Sequence, residues 1–213
     1  MSNIEITYSP KAIHEFACDT ETRSIIRRYV DGKSKRPLLL YGDCGSGKSK
    51  LAKLLPYAIC PDFNACDLIW IDAGLDRGVD RIRGIENEVS LFAMNDMNFR
   101  AVVIDEADQL SSDAMLALKN LLPRFMEREG THVQFVLTTN YIHRIDDAVR
   151  DRCEEVHLAP PEIQQLLPLA REILKQHNCS IPTNLVEKVL DVNSNNGRIS
   201  YRDFYKRMEK LID

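Results

Sequence analysis

The sequence predicts an α/β protein, a parallel sheet covered by helices on both faces and followed by a small α-helical lid. Three observations predict it. Short apolar runs alternate with amphipathic stretches from residue 37 to residue 159, the pattern of strands joined by crossover helices. One run, at 37–41, leads directly into the glycine-rich segment Gly42–Ser49 and then into helical periodicity. After Pro160–Pro161 the apolar runs stop and only helical periodicity continues. The boundary is therefore drawn between a core over 1–159 and a helical lid over 160–213.

Taken in order, residues 19–32 read as a helix, with Asp19 or Thr20 as its cap and Gly32 as its stop. The run at 37–41 is short and wholly apolar until its last residue, as a strand buried on both faces requires. Residues 47–59 form the next helix and 67–72 the second strand. Ile82, Ile85, Val89 and Phe92 recur at helical intervals, which predicts a helix over 78–94. A third strand covers 101–105. Ser111 or Ser112 caps the helix after it, which runs to about Arg128 and bends near Pro123. Strands at 132–139 and 154–159 complete the sheet, and helices at 162–177, 183–192 and 198–212 make the lid.

The composition is that of an ordinary soluble chain of 213 residues, 44% hydrophobic and 28% charged. It contains no apolar run of about 18 residues that would span a membrane. No basic-then-apolar leader opens it, so a cytoplasmic or nucleoid location is expected. The six cysteines form no Cys-x-x-Cys pair and read as scattered thiols rather than a zinc site. A net charge of −4 excludes a broadly basic nucleic-acid binder and leaves a local patch or a place in an assembly.

Gly42-Asp43-Cys44-Gly45-Ser46-Gly47-Lys48-Ser49 fits G-x-x-x-x-G-K-[ST] between a strand and a helix. Glycines let such a loop curl so that its N–H groups point inward, and the following helix offers its positive end to the same spot. Lys48 supplies a charge for the β- and γ-phosphates of a nucleotide, Ser49 a hydroxyl for Mg²⁺, and Lys50 follows on the helix. The third strand delivers Asp105 to its C-terminal end as a second group for the metal, with Glu106 placed to accept a proton from attacking water. Asn140, at the tip of the fourth strand, either orients that water or forms a turn.

These residues resemble those of AAA+ ATPases, and within them the clamp-loader small subunits of replication factor C and its phage counterparts. The likeness runs in order through 8–17, 72–83, 105–120 and 138–153. It implies ATP and Mg²⁺ as cofactors, an adenine framed by Ala17 and Cys18, and Arg152 reaching the ATP of a neighbouring copy, with Arg150 as the alternative finger. It also implies self-association, or association with related subunits, in a ring or spiral. Within that assembly the DNA backbone would meet Arg77, Arg81 and Arg83, with Arg77 and Arg81 on one helix face, and the ring-shaped partner would be a sliding clamp or a helicase ring. A helicase loader, another DNA-remodelling ATPase and a nucleotide-dependent scaffold are the alternatives. The match departs at Asp72, where the family has Asn; two carboxylates repel unless they share a proton, which disfavours the family's DNA-gated restraint of Glu106. The lid's sensing arginine is out of register, with Arg198 or Arg202 as substitutes. The family's collar domain is not in this sequence.

Overall fold

The computed structural model describes residues 3–126, 132–192, 194 and 196–212. The first helix, α1 (Asn3–Tyr8), was not legible in the sequence, because Ile4, Ile6 and Thr7 are poor helix formers. Tertiary contact outweighs that propensity: Ile4 is buried, and the Tyr205 hydroxyl donates to the Tyr8 carbonyl at 3.0 Å. Helix α2 (Thr20–Val30) is capped by Asp19, whose carboxylate accepts the Thr22 N–H at 2.7 Å. Strand β1 (Leu38–Tyr41), helix α3 (Lys48–Ile59), strand β2 (Leu68–Asp72) and helix α4 (Val79–Val89) follow. Then come β3 (Phe99–Asp105), α5 (Ser112–Met126), β4 (His132–Thr139), the short α6 (Asp147–Arg150) and β5 (Glu154–His157). Ser111 caps α5 by accepting the Ala114 N–H. The expected end of that helix near residue 128 lies outside the described residues. Three further helices, α7 (Ile163–Gln176), α8 (Thr183–Asp191) and α9 (Tyr201–Ile212), close the chain.

The five strands are all parallel, in the order β2-β3-β4-β1-β5. Alternate residues face opposite sides, so the central strands β1, β3 and β4 each feed two cores. Leu38, Leu40, Val103 and Val136 join a cluster with Leu51 of α3 and with Ile163, Leu166, Tyr201 and Phe204 of the C-terminal helices. Leu39, Val102, Ile104 and Leu137 join another with Ile82 and Ile85 of α4 and Leu118 and Leu122 of α5. The C-terminal helices thus share an apolar cluster with one sheet face. Because β3 and β1 flank β4, their C-terminal ends converge at one edge of the sheet, where ligands of such folds sit.

One helix is shorter than its periodicity predicts. Helix α4 stops at Val89, and Phe92 is 88% exposed instead of buried. The cause is a competing polar hub. Fully buried Asp67 accepts the Met94 N–H at 2.9 and 3.0 Å and the Asn95 amide at 2.8 Å, while Arg100 donates to the carbonyls of Leu91 and Phe92. These bonds satisfy the backbone in a loop and hold Leu91, Phe92, Met94 and Met97 exposed on the surface.

Candidate active site

The loop after β1 is shaped by three glycines at positive φ, at 145°, 81° and 97° for Gly42, Gly45 and Gly47. A Cβ on Gly42 would stand 2.5 Å from the Leu158 carbonyl oxygen, and one on Gly47 would stand 2.8 Å from the Phe16 ring. Glycine is therefore a steric requirement at both positions, as well as a conformational one. The loop docks onto the last helix through Tyr201 N–H, which donates to the Gly45 carbonyl at 2.9 Å.

A cavity of about 450 Å³ opens here, lined by Cys44, Gly45, Gly47, Lys48, Ser49 and Lys50 of the loop and α3. Glu106, Thr138, Thr139 and Asn140 from the ends of β3 and β4, and Tyr201, Arg202 and Tyr205 from α9, complete that side. Ile6, Ser9, Pro10 and Phe16 form much of the remaining wall. Lys48 is buried, which lowers its ammonium pKa, and it donates to the carbonyls of Gly42 and Asp43 at 2.9 Å each. Gly42, Asp43 and Ser46 are not on the cavity wall; Asp43 is exposed, and Ser46 Oγ is a buried hydroxyl without a hydrogen-bond partner among the described residues. Lys50 also has its pKa lowered, chiefly by burial and then by Lys53, and donates to Ser9 Oγ at 3.1 Å.

Asp105, the last residue of β3, is not itself on the cavity wall but is bonded to two residues that are. Its Oδ1 accepts the Ser49 hydroxyl at 2.7 Å and the Thr138 hydroxyl at 2.6 Å. Ser49 spends its proton on Asp105, so its oxygen lone pairs stay available to a cation. Glu106 follows in the left-handed region at φ 54°, ψ 44°, and its N–H donates to Thr138 Oγ1 at 3.1 Å. The carboxylates of Glu106 and Asp72 both border Gly74, lying 3.2 and 3.1 Å from where its Cβ would be, and Asp72 accepts the Gly74 N–H. Thr139, beside Asn140, donates to Asp108 at 2.6 Å.

Several expectations need correction. Ala17 and Cys18 are not on the cavity wall; the Tyr201 hydroxyl accepts the Ala17 N–H at 2.8 Å and donates to its carbonyl, and Gln165 takes the Cys18 carbonyl. Phe16 faces the cavity in their place. Arg198 is also elsewhere, donating to the Pro160 carbonyl and to Glu162. The lid arginine on the wall is Arg202, whose guanidinium lies 3.1 Å from Cys44 Sγ. Arg77 and Arg81 do not share a helix face, because α4 begins only at Val79. Arg77 is exposed in the preceding loop, Arg81 is paired with Glu88, and Arg83 lies 3.6 Å from Asp80.

Arg152 stands apart from this cavity and donates to the Ala148 carbonyl. Arg36 braces the carbonyls on either side of it, those of Asp151 and Cys153, at 2.9 and 3.1 Å. Arg150 is bound to Glu155 and Asp147. Sequence reasoning missed Phe16, Thr138 and Tyr201. The signal for Thr138 was a pair of hydroxyl residues, Thr138-Thr139, directly after the buried apolar run Phe135–Leu137.

The profile of the ATPase family associated with various cellular activities (AAA) matches residues 38–161. Among curated proteins, the chain is 27% identical over 192 residues to replication factor C small subunit 1 of Pyrobaculum arsenaticum, covering 90% of this chain and 57% of that protein. It is 25% identical over 193 residues to replication factor C subunit 5 of Homo sapiens, covering 90% and 56%. The chain thus spans somewhat more than half the length of these relatives. Among solved structures, the RuvB Holliday junction branch migration motor of Thermotoga maritima superposes with a TM-score of 0.64 at 16% identity, covering 94% of this chain and 72% of that one. A DNA polymerase III gamma subunit-related protein from the same organism gives 0.54 at 15% identity, covering 89% and 76%. No helix among the described residues is long and apolar enough to cross a membrane.

Proposed function

The chain belongs to the AAA family of ATPases, and from that premise we propose that it is a clamp-loader-like replication ATPase that hydrolyses ATP at contacts between neighbouring copies and acts on a ring-shaped partner at DNA. The observation that carries the reading is the Ser49–Asp105–Thr138 hydroxyl–carboxylate set, whose two hydroxyl residues share with Glu106 the wall of a cavity that Gly45 and Gly47 help to line. The similarity to replication factor C small subunits supports the replication setting.

The donor set fits a magnesium–nucleotide. The loop tolerates no Cβ at Gly42 or Gly47, Lys48 brings a buried cation, and Ser49 and Asp105 offer neighbouring oxygen ligands of the kind Mg²⁺ takes. Bound Mg²⁺ supplies charge neutralisation at the phosphate oxygens. Lys48 and the loop N–H groups hold phosphate, and Phe16, Pro10 and Ile6 give the base an apolar wall. Glu106 accepts the proton of the attacking water, which Asn140 orients from the next strand. Arg202 brings the lid helices to the phosphates, so that the segment 160–213 closes over the nucleotide as a lid. Arg152, braced by Arg36 away from its own cavity, is the residue offered to the neighbouring copy, a role worth ~10³–10⁵ in rate. The exposed loop bearing Leu91, Phe92, Met94 and Met97 is the apolar surface proposed for the ring partner. Arg77, Arg83 and the N-terminus of α4 are proposed for DNA phosphates.

Complementation tests the shared site. Glu106→Gln protein binds ATP but turns over negligibly, and Arg152→Ala protein is equally slow; mixed, they regain a fraction of wild-type activity. Absence of recovery at every mixing ratio removes the trans role. ATP-dependent capture on an immobilised sliding clamp, lost in Phe92→Asp, tests the partner. Capture by a helicase ring alone would replace the clamp reading with a helicase-loader one.

A further inference from the structure

We infer that Thr138 is a positioning residue for both carboxylates of the hydrolytic site, acting through its single hydroxyl. The hydroxyl donates to Asp105 Oδ1 at 2.6 Å and accepts the Glu106 N–H at 3.1 Å. Thr138 is nearly fully buried in β4, on the strand next to the one that carries Asp105. Its oxygen is therefore held from both sides.

Two hydroxyls meet the same Asp105 oxygen, and their second bonds set them apart. The Ser49 hydroxyl makes no other hydrogen bond among the described residues, which leaves its oxygen free for a cation. Thr138 has its oxygen occupied by a backbone N–H, so it is the fixed member of the pair. It orients the Asp105 carboxylate while Ser49 remains available as a ligand. The bond to Glu106 has a separate consequence. Glu106 is a non-glycine residue in the left-handed region, a conformation that costs free energy and persists only where the surroundings hold it. The Thr138 oxygen ties down the peptide N–H of that residue, and so fixes the direction in which its side chain leaves the strand. One side chain thus sets a metal ligand and a proton acceptor relative to each other.

This inference rests on the proposed roles of Asp105 and Glu106, and the test separates the two. Thr138→Val keeps the shape and removes the hydroxyl; Thr138→Ser keeps the hydroxyl. The readouts are kcat, KM, and the affinity of a fluorescent ATP analogue titrated with and without Mg²⁺. In the valine variant kcat falls at least about ten-fold, the scale of one hydrogen bond to a charged group. The gain in nucleotide affinity on adding Mg²⁺ shrinks several-fold, affinity without Mg²⁺ stays within about two-fold, and serine restores both losses. A merely structural role would lower all affinities together and would not single out the Mg²⁺-dependent part. Should valine prevent folding, Thr138→Ala against Thr138→Ser makes the same comparison. Hydroxyl-free variants that fold, with kcat and Mg²⁺ gain both at wild-type levels, overturn the inference while the proposed function stands. Wild-type turnover in Glu106→Gln, or no Mg²⁺ effect in the wild type, overturns the proposed function and this inference with it.

Discussion

Asp67→Ala should be among the most damaging single changes outside the cavity. The Asp67 carboxylate is completely buried and receives hydrogen bonds from Met94 N–H and the Asn95 amide, with the Arg100 guanidinium 3.9 Å away. Alanine strips two donors of a charged acceptor, each worth about 1.5–3 kcal/mol, and leaves a buried guanidinium without its counter-ion. Arg100 keeps the Leu91 and Phe92 carbonyls, which places the total at about 3–5 kcal/mol, the range for breaking a buried pair. Whole-domain stabilities are about 5–15 kcal/mol, so this is a large share. Urea unfolding followed by circular dichroism would show the loss. At about 2–4 °C per kcal/mol for a chain of this size, the melting temperature should fall by roughly 6–20 °C. Limited proteolysis should cut earliest between residues 90 and 98, because Asp67 anchors that loop. A loss under about 1 kcal/mol together with wild-type cleavage would refute the hub as the reason the loop is ordered.

Three other outcomes are expected. Tyr201→Phe removes the partner of both the N–H and the carbonyl of the half-buried Ala17; this costs about 1 kcal/mol, seen as a melting temperature lower by roughly 2–4 °C and a weaker nucleotide affinity. Gly47→Ala forces a Cβ into the buried Phe16 ring at a φ of 97°, and nucleotide affinity by calorimetry should drop at least about ten-fold, since the left-handed penalty alone is roughly 1–2 kcal/mol. A thiol reagent on the native protein should label exposed Cys44 and Cys66 first, while burial raises the thiol pKa of Cys18 and pushes those of Cys60 and Cys153 up to about 11 and about 12. Saturating ATP with Mg²⁺ should slow Cys44, on the cavity wall, and leave Cys66 unchanged.

The parts of the site that could be read from the sequence are those whose geometry is local. Gly42 to Ser49 is one strand end, one turn and one helix start, and its left-handed positions admit glycine whatever lies around them. Asp105 and Glu106 follow the apolar run Ala101–Ile104, so their place at the C-terminal end of β3 follows from that run alone. The misreadings arise where a residue's environment comes from far along the chain. Phe16 rather than Ala17 faces the cavity because a tyrosine 184 positions away occupies the Ala17 backbone. Arg202 rather than Arg198 reaches the loop because α9 starts at Tyr201, whose N–H is bound to Gly45, while Arg198 is held back beside Glu162.

Phe92 illustrates a conflict between two physical signals. Its spacing from Val89 and Ile85 favours continued helix and burial, yet the buried charge of Asp67 on a separate segment offers the backbone of Met94 a stronger acceptor. Periodicity weighs only apolar burial, and a fully buried carboxylate must collect donors wherever the chain can supply them. A helix continued through Phe92 would take Met94 N–H from Asp67 and leave that charge short of donors. The helix therefore ends early, and the exposed apolar loop is the direct consequence of satisfying one buried acid.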